Sequence, residues 1–236
     1  PNAIAGCVST RSLSPAKALT LAAVCNFVGA VGMALLNTRV AATLFGIVDF
    51  GQNTDAALIS LCAGLCAVIL WAVIAWRFGL PTSESHALIS GITGAALAKQ
   101  MSLDAVNPHQ WKLVLIGLLL TTLPPLLLGC LFYKILLRLV AKRERRSVIR
   151  YFMRAQCVSA AGSALLHGAQ DSQKFMGIYM LGLSLSGVEV LSPDTIPPAV
   201  VLICAAVMTL GTMLGGARII KKVGCDMTEL DAAGGS

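Results

Sequence analysis

The chain has 236 residues, 56% of them hydrophobic and only 12% charged, with a formal net charge of +7. A soluble domain carries about 25% charged residues, so a water-soluble globular protein is excluded and a polytopic membrane protein is expected. The basic excess has a topological explanation, set out below, which makes nucleic-acid binding a poor reading and the lipid bilayer the expected environment.

In chain order, the first segment is PNAIAGCVSTRSLSP, followed by an apolar run over 18–36. Residues 56–76 (AALISLCAGLCAVILWAVIAW) form the clearest span, ending in tryptophans suited to the membrane interface. Each run has about the 20 residues needed to cross roughly 30 Å of hydrocarbon as a helix. Strict alternation, the mark of a membrane barrel, is absent, so the fold class is all-α.

Next comes LPTSESHALISGITGAALAK, residues 80–99. Proline followed by Thr82, Ser83 and Glu84 is a helix-start signature, here lying between two membrane segments. A helix that begins inside a membrane points free N–H groups and its positive dipole end inward, which suits an anion. Discontinuous helices of this kind mark substrate sites in many secondary transporters. Residues 113–140 form a further span, with Pro124 and Pro125 predicting a kink or break.

KRERRSVIRYFMR, residues 142–154, is the densest basic run and reads as a cytoplasmic loop. The stretch 188–195 carries Glu189 and Asp194 without a basic residue, as expected outside. After the last span, residues 197–216, Arg218, Lys221 and Lys222 fall inside. Between these lies a long apolar stretch, 156–187, interrupted by HGAQDSQKFMG. Asp171 and Lys174 stand there among otherwise uncharged residues, and a second broken helix is expected at Gly168–Lys174. A carboxylate at the centre of a membrane helix costs about 2.5–3.5 kcal/mol, so filler is a poor account of Asp171. Two readings stand: a cation or substrate ligand, or a structural partner of Lys174 three residues on.

Eight cysteines lie mostly within the apolar runs and form no CxxC or Cys/His cluster, so small apolar filling is expected, not metal binding. His86 and His167 read first as packing or hydrogen-bonding groups. An intramembrane serine hydrolase using Ser163 or Ser85 with His167 or His86 lacks any nucleophile signature, so no enzyme is expected.

GAQDSQKFMG resembles the GxNDxQKxMG signature of the inorganic phosphate transporter (PiT) family. LPTSESHALISG resembles that family's PxSxTHxxxG segment in a bacterial form, and the N-terminal segment resembles the continuation of a first GxND signature. The resemblance implies two inverted repeats, with broken helices and a re-entrant half-helix hairpin at a central site. Residues 1–141 would be the first repeat, including the hairpin at 80–99, and 142–154 the cytoplasmic loop. Residues 155–236 would be the second repeat. The first Gly-x-Asn-Asp is expected just before Pro1 and a second hairpin after the last residue, so the chain reads as a fragment or truncated gene product. Gln170 stands where the signature has asparagine, and Glu84 and Ser85 where it has a Ser-Thr pair.

The implied function is import of inorganic phosphate coupled to Na⁺ or H⁺ by a multi-pass protein of the cell membrane. The alternatives are a sulfate permease of the same fold and a non-transporting membrane subunit or inactive fragment. Thr82, Ser83, Ser85, Asp171 and Ser172 would bind the oxyanion. Asn2, Glu84, Gln170, Asp171 and Gln173 would hold the cation, with His86 and Lys174 in support. No cofactor is implied beyond the coupling ion, and a homodimer is the further partner the resemblance allows.

Overall fold

The computed structural model describes residues 2–51, 53–80, 82–140, 145–188 and 196–221. Among them the regular structure is eight α-helices, one 3₁₀ turn at Leu103–Ala105 and an isolated bridge between Val48 and Val106. The helices are α1 (Asn2–Ser9), α2 (Pro15–Leu36), α3 (Arg39–Phe45), α4 (Thr54–Phe78), α5 (Glu84–Gln100), α6 (Pro108–Val140), α7 (Arg145–Leu185) and α8 (Pro198–Lys221). Four contain windows long and apolar enough to cross a membrane: α2, α4, α6 and α8. The spans expected from composition are these four, and the chain is a multi-pass helical membrane protein.

α1, α2, α3 and α8 pack along α7. Glycines allow the closest approaches, because a side chain would leave no room for the neighbouring backbone. A Cβ on Gly168 would collide with the backbone of Asn26, one on Gly29 with that of Leu165, and one on Gly177 with that of Ala41. Further along, Gln173 donates to the carbonyls of Met33 and Asn37. Contact positions on both helices thus increase together, and α2 and α3 run alongside α7 in the same sense. α8 runs the other way: its start clusters with Ala41, Met176 and Met180, and Ile220 near its end clusters with Ala160 and Ala164.

The break in the first half falls between α1 and α2, where Arg11 takes a left-handed backbone conformation (φ 58°) and Pro15 opens α2 behind Ser14. Thr10 and Ser12 both hydrogen-bond Gln156, which brings this elbow to the end of α7 that carries the basic run. Arg11 and Lys17 therefore lie toward that end. So does Arg77, since its neighbour Trp76 touches Gly215 in the late part of α8. Arg39 follows Asn37, toward the opposite end.

α4 and α5 form an antiparallel hairpin. A Cβ on Gly64 would lie 2.9 Å from the carbonyl oxygen of Gly91, and one on Gly91 3.0 Å from that of Gly64. At its far end Lys99 donates to the carbonyl oxygens of Phe50 and Asn53. α5 has 17 residues, at the short end of the range for a membrane crossing. Its first turn lies beside Val68 and Trp71, while α4 continues past them to Phe78. This antiparallel pair occupies the position of the expected hairpin at 80–99.

Three expectations need correction. α7 is helical without interruption through Gly168–Lys174. Gly168 there serves helix contact, and Asp171 finds partners one turn away in either direction, so no unwinding is needed to satisfy it. α6 likewise contains Pro124 and Pro125 inside one continuous helix, a substitution membrane helices tolerate. The basic segment is not a loop throughout: from Arg145 onward it is the start of α7, where lysine- and arginine-rich sequence is compatible with helix. Glu189, Asp194 and Lys222 lie outside the described residues.

Candidate functional site

The first turn of α5 and the middle of α7 meet at a charged cluster. Ser83 is the N-cap of α5, its Oγ accepting from the His86 N–H at 3.4 Å. Ser85, the second residue of α5 and half-buried, faces α7 and accepts a hydrogen bond from Lys174 Nζ. The same ammonium lies 2.6 Å from Asp171 Oδ1, and His167 Nδ1 lies 2.9 Å from Asp171 Oδ2. His167, Asp171 and Lys174 sit at i, i+4 and i+7 of one unbroken helix, so they share a face. Both carboxylate oxygens are engaged, and the side chains of Asp171 and Lys174 keep 14% and 19% of their exposure. They are therefore shielded but reachable.

Chemically, the junction offers a carboxylate, an ammonium, a hydroxyl and the N–H groups of a helix start. A helix N-terminus and an ammonium favour an oxyanion, and a carboxylate favours a cation beside it. Opposite charges held this close by a rigid helix suit a site that takes an ion pair of its own.

The remaining expected residues are distributed elsewhere. Thr82, Ser83 and His86 line a cleft of about 580 Å³ with Val68, Trp71 and Ser90, on the α4 side of the hairpin. Glu84, the first residue of α5, is exposed and forms no ion pair among the described residues. Gln170 is exposed on α7. Ser172 is fully buried and donates back to the Gly168 carbonyl at 2.5 Å. Gln173, 1% exposed, points to α2, where it caps the carbonyls of Met33 and Asn37. Asn2 lies in α1, and its side chain is outside the described residues.

His167, read from sequence as a packing or hydrogen-bonding group and not as a site residue, hydrogen-bonds Asp171 in the cluster. Its spacing from Asp171, one helical turn, is the signal that could have found it. Asn26 and Gln156, single amides in apolar runs, are also buried at helix contacts: Asn26 donates to Thr212 Oγ1 at 3.0 Å. The serine–histidine arrangement of a hydrolase is not assembled, since Ser85 bonds to Lys174 and His167 to Asp171.

Apolar spans, a short helix starting against a long one, and a shielded charge cluster at that junction are the features of a membrane protein of the solute-transporter class. The model of the phosphate transporter family matches residues 1–150 and 140–236. The chain belongs to this family.

Among curated relatives, a "Probable low-affinity inorganic phosphate transporter" of Bacillus subtilis (strain 168) is 36% identical over 234 residues, covering 99% of this chain and 68% of the relative. A protein of the same description from Mycobacterium bovis is 35% identical, over 97% of this chain and 54% of that relative. One from Streptomyces halstedii is 41% identical over 72% of this chain and 76% of the relative. The chain thus spans about half to three quarters of the length of these relatives. A solved structure described as "The sodium-dependent phosphate transporter" shares the fold, with a TM-score of 0.75 over 99% of this chain and 75% of that one at 20% identity. These relatives are described as transporters, and the family to which the chain belongs is one of membrane transport proteins, not of enzymes.

Proposed function

We propose that the protein imports inorganic phosphate and couples it to a cation, with Na⁺ as first choice and H⁺ as second. The observation that carries this reading is the linkage Ser85–Lys174–Asp171, which ties the start of α5 to a shielded carboxylate. Family membership supports phosphate as the substrate, and the description of the structural neighbour supports Na⁺.

Phosphate binds at the first turn of α5, where Ser85 and the free N–H groups donate to its oxygens. Lys174 supplies a mobile positive charge between anion and carboxylate. Asp171 carries the coupling cation, whose charge offsets that of the substrate. Phosphate also differs from sulfate in keeping a proton near neutral pH, and a carboxylate acceptor such as Glu84, exposed at the start of α5, recognises that proton.

The test is uptake of labelled phosphate into vesicles containing the protein, under imposed Na⁺ and H⁺ gradients. Uptake should require one of the two gradients and should resist excess sulfate. Uptake that persists with both gradients collapsed refutes the coupling, and uptake abolished by sulfate refutes the substrate assignment.

A further inference from the structure

A second polar cluster lies on α7 far from Asp171. Gln156 is 2% exposed and belongs to no part of the site described above. Its Oε1 lies 2.7 Å from Thr10 Oγ1 and 2.8 Å from Ser12 Oγ, the two hydroxyls that flank Arg11 at the α1–α2 elbow. Thr10 Oγ1 also lies 2.8 Å from the Gly6 carbonyl oxygen and 2.9 Å from Ser12 Oγ.

Four short oxygen–oxygen contacts thus share two hydroxyl protons, while Gln156 Nε2 has no partner. Turning the amide over lets Nε2 donate to both hydroxyls and frees their protons for Gly6 and each other. It then leaves Oε1 bare in the buried position instead. Either way, one amide atom is unsatisfied, and such an atom weakens the closed contact.

The surrounding contacts are different in kind. Ile4, Ala18, Ala22, Ala160, Ala164 and Ile220 form an ordinary apolar cluster, which could have continued through this point. A polar, under-satisfied contact on a left-handed, non-glycine elbow is instead suited to being made and broken.

We propose that Gln156, Thr10 and Ser12 form a clasp that opens and closes as the transporter changes conformation. It lies toward the basic, cytoplasmic end of α7, about 22 Å from Asp171 at 1.5 Å per residue. When closed, it holds the elbow and the start of α2 on α7. When open, it releases them on that side of the membrane. The inference rests on the transport reading above.

Cys7 reports the state of the clasp directly. It is buried beneath the elbow, donates to the Gln156 carbonyl at 3.4 Å and neighbours Cys157. Its alkylation by a membrane-permeant maleimide, followed at the Cys7 peptide by mass spectrometry, should speed up when the vesicles transport phosphate. The double variant Thr10→Val, Ser12→Ala should raise Cys7 alkylation about fivefold without substrate, the factor one net hydrogen bond is worth. It should also change the KM for external phosphate at unchanged membrane level. Cys7 alkylation that is the same with and without transport in the unmodified protein overturns the clasp, whether or not the double variant accumulates. Unaltered alkylation and KM in a well-expressed double variant overturn it too. Absence of phosphate uptake by the unmodified protein would instead refute the transport reading.

Discussion

α7 meets its neighbours in two chemically different ways. Toward α5 it presents Asp171 and Lys174, charged and incompletely buried. Toward α2 it presents Gly168 and Gln173, uncharged and buried, against the backbone of Asn26 and the carbonyls of Met33 and Asn37. A static helix contact in a membrane needs only close backbone approach and a few neutral hydrogen bonds. Charge is expensive there, and its restriction to the α5 face is what the proposed ion site uses. The α2 face holds the scaffold.

The strongest way to break this distinction is Asp171→Asn. Uptake should fall to background while the amount of protein in the membrane holds or rises, because an uncharged amide is easier to insert. If Asp171 only balances Lys174, the substitution strands the ammonium. That cost stays below the about 3–5 kcal/mol of a fully buried pair, since both groups retain exposure. Expression and uptake of Asp171→Asn, Lys174→Met and the double variant separate the two roles. Restored uptake in the double variant would remove Asp171 from the cation site.

Gly168→Ala should act on the scaffold. The added methyl meets the Asn26 backbone, which cannot rotate away as a side chain could. Overpacking of this kind costs about 1–3 kcal/mol. A thermal-unfolding assay in detergent should show the loss, with phosphate KM unchanged in the molecules that remain folded. A shifted KM at wild-type stability would mean that the two faces are not separate.

Ser85→Ala and Ser83→Ala sharpen the comparison within one helix turn. Ser85 faces Lys174, so its loss should weaken apparent phosphate affinity roughly tenfold, for about 1.5 kcal/mol. Ser83 caps α5 and faces the α4 cleft. Its loss should appear in stability, at about 1 kcal/mol, with a smaller effect on affinity. Equal affinity losses in both would place the substrate across both faces of the α5 start.

The spans were legible because apolar length is a property of local sequence. The start of α5 was legible for the same reason: Pro81, Thr82 and Ser83 announce a helix whatever surrounds it. The course of α7 was not. Glycine, two polar amides and a charged pair read as an interruption, yet three of these residues find partners outside local sequence: Gly168 the Asn26 backbone, Gln173 the end of α2, Lys174 the hydroxyl of Ser85. That difference carries through to the site. An unwound segment could turn Gln170, Asp171, Ser172 and Gln173 toward one ion, whereas an intact helix sends consecutive side chains about 100° apart. His167 entered and its sequence neighbours left for this reason alone.

The α4–α5 hairpin is fastened twice, by the glycine contact at Gly64 and Gly91 and by the Lys99 ammonium on the carbonyls of Phe50 and Asn53. One fastening would leave a pivot. Two, eight residues apart on α5, make a plate. A plate without an internal joint would carry a displacement of Ser85 at its near edge to the segment around Phe50 at its far edge. Two missing side chains and one long one fix the ends between which the apolar contacts of α4 and α5 are made.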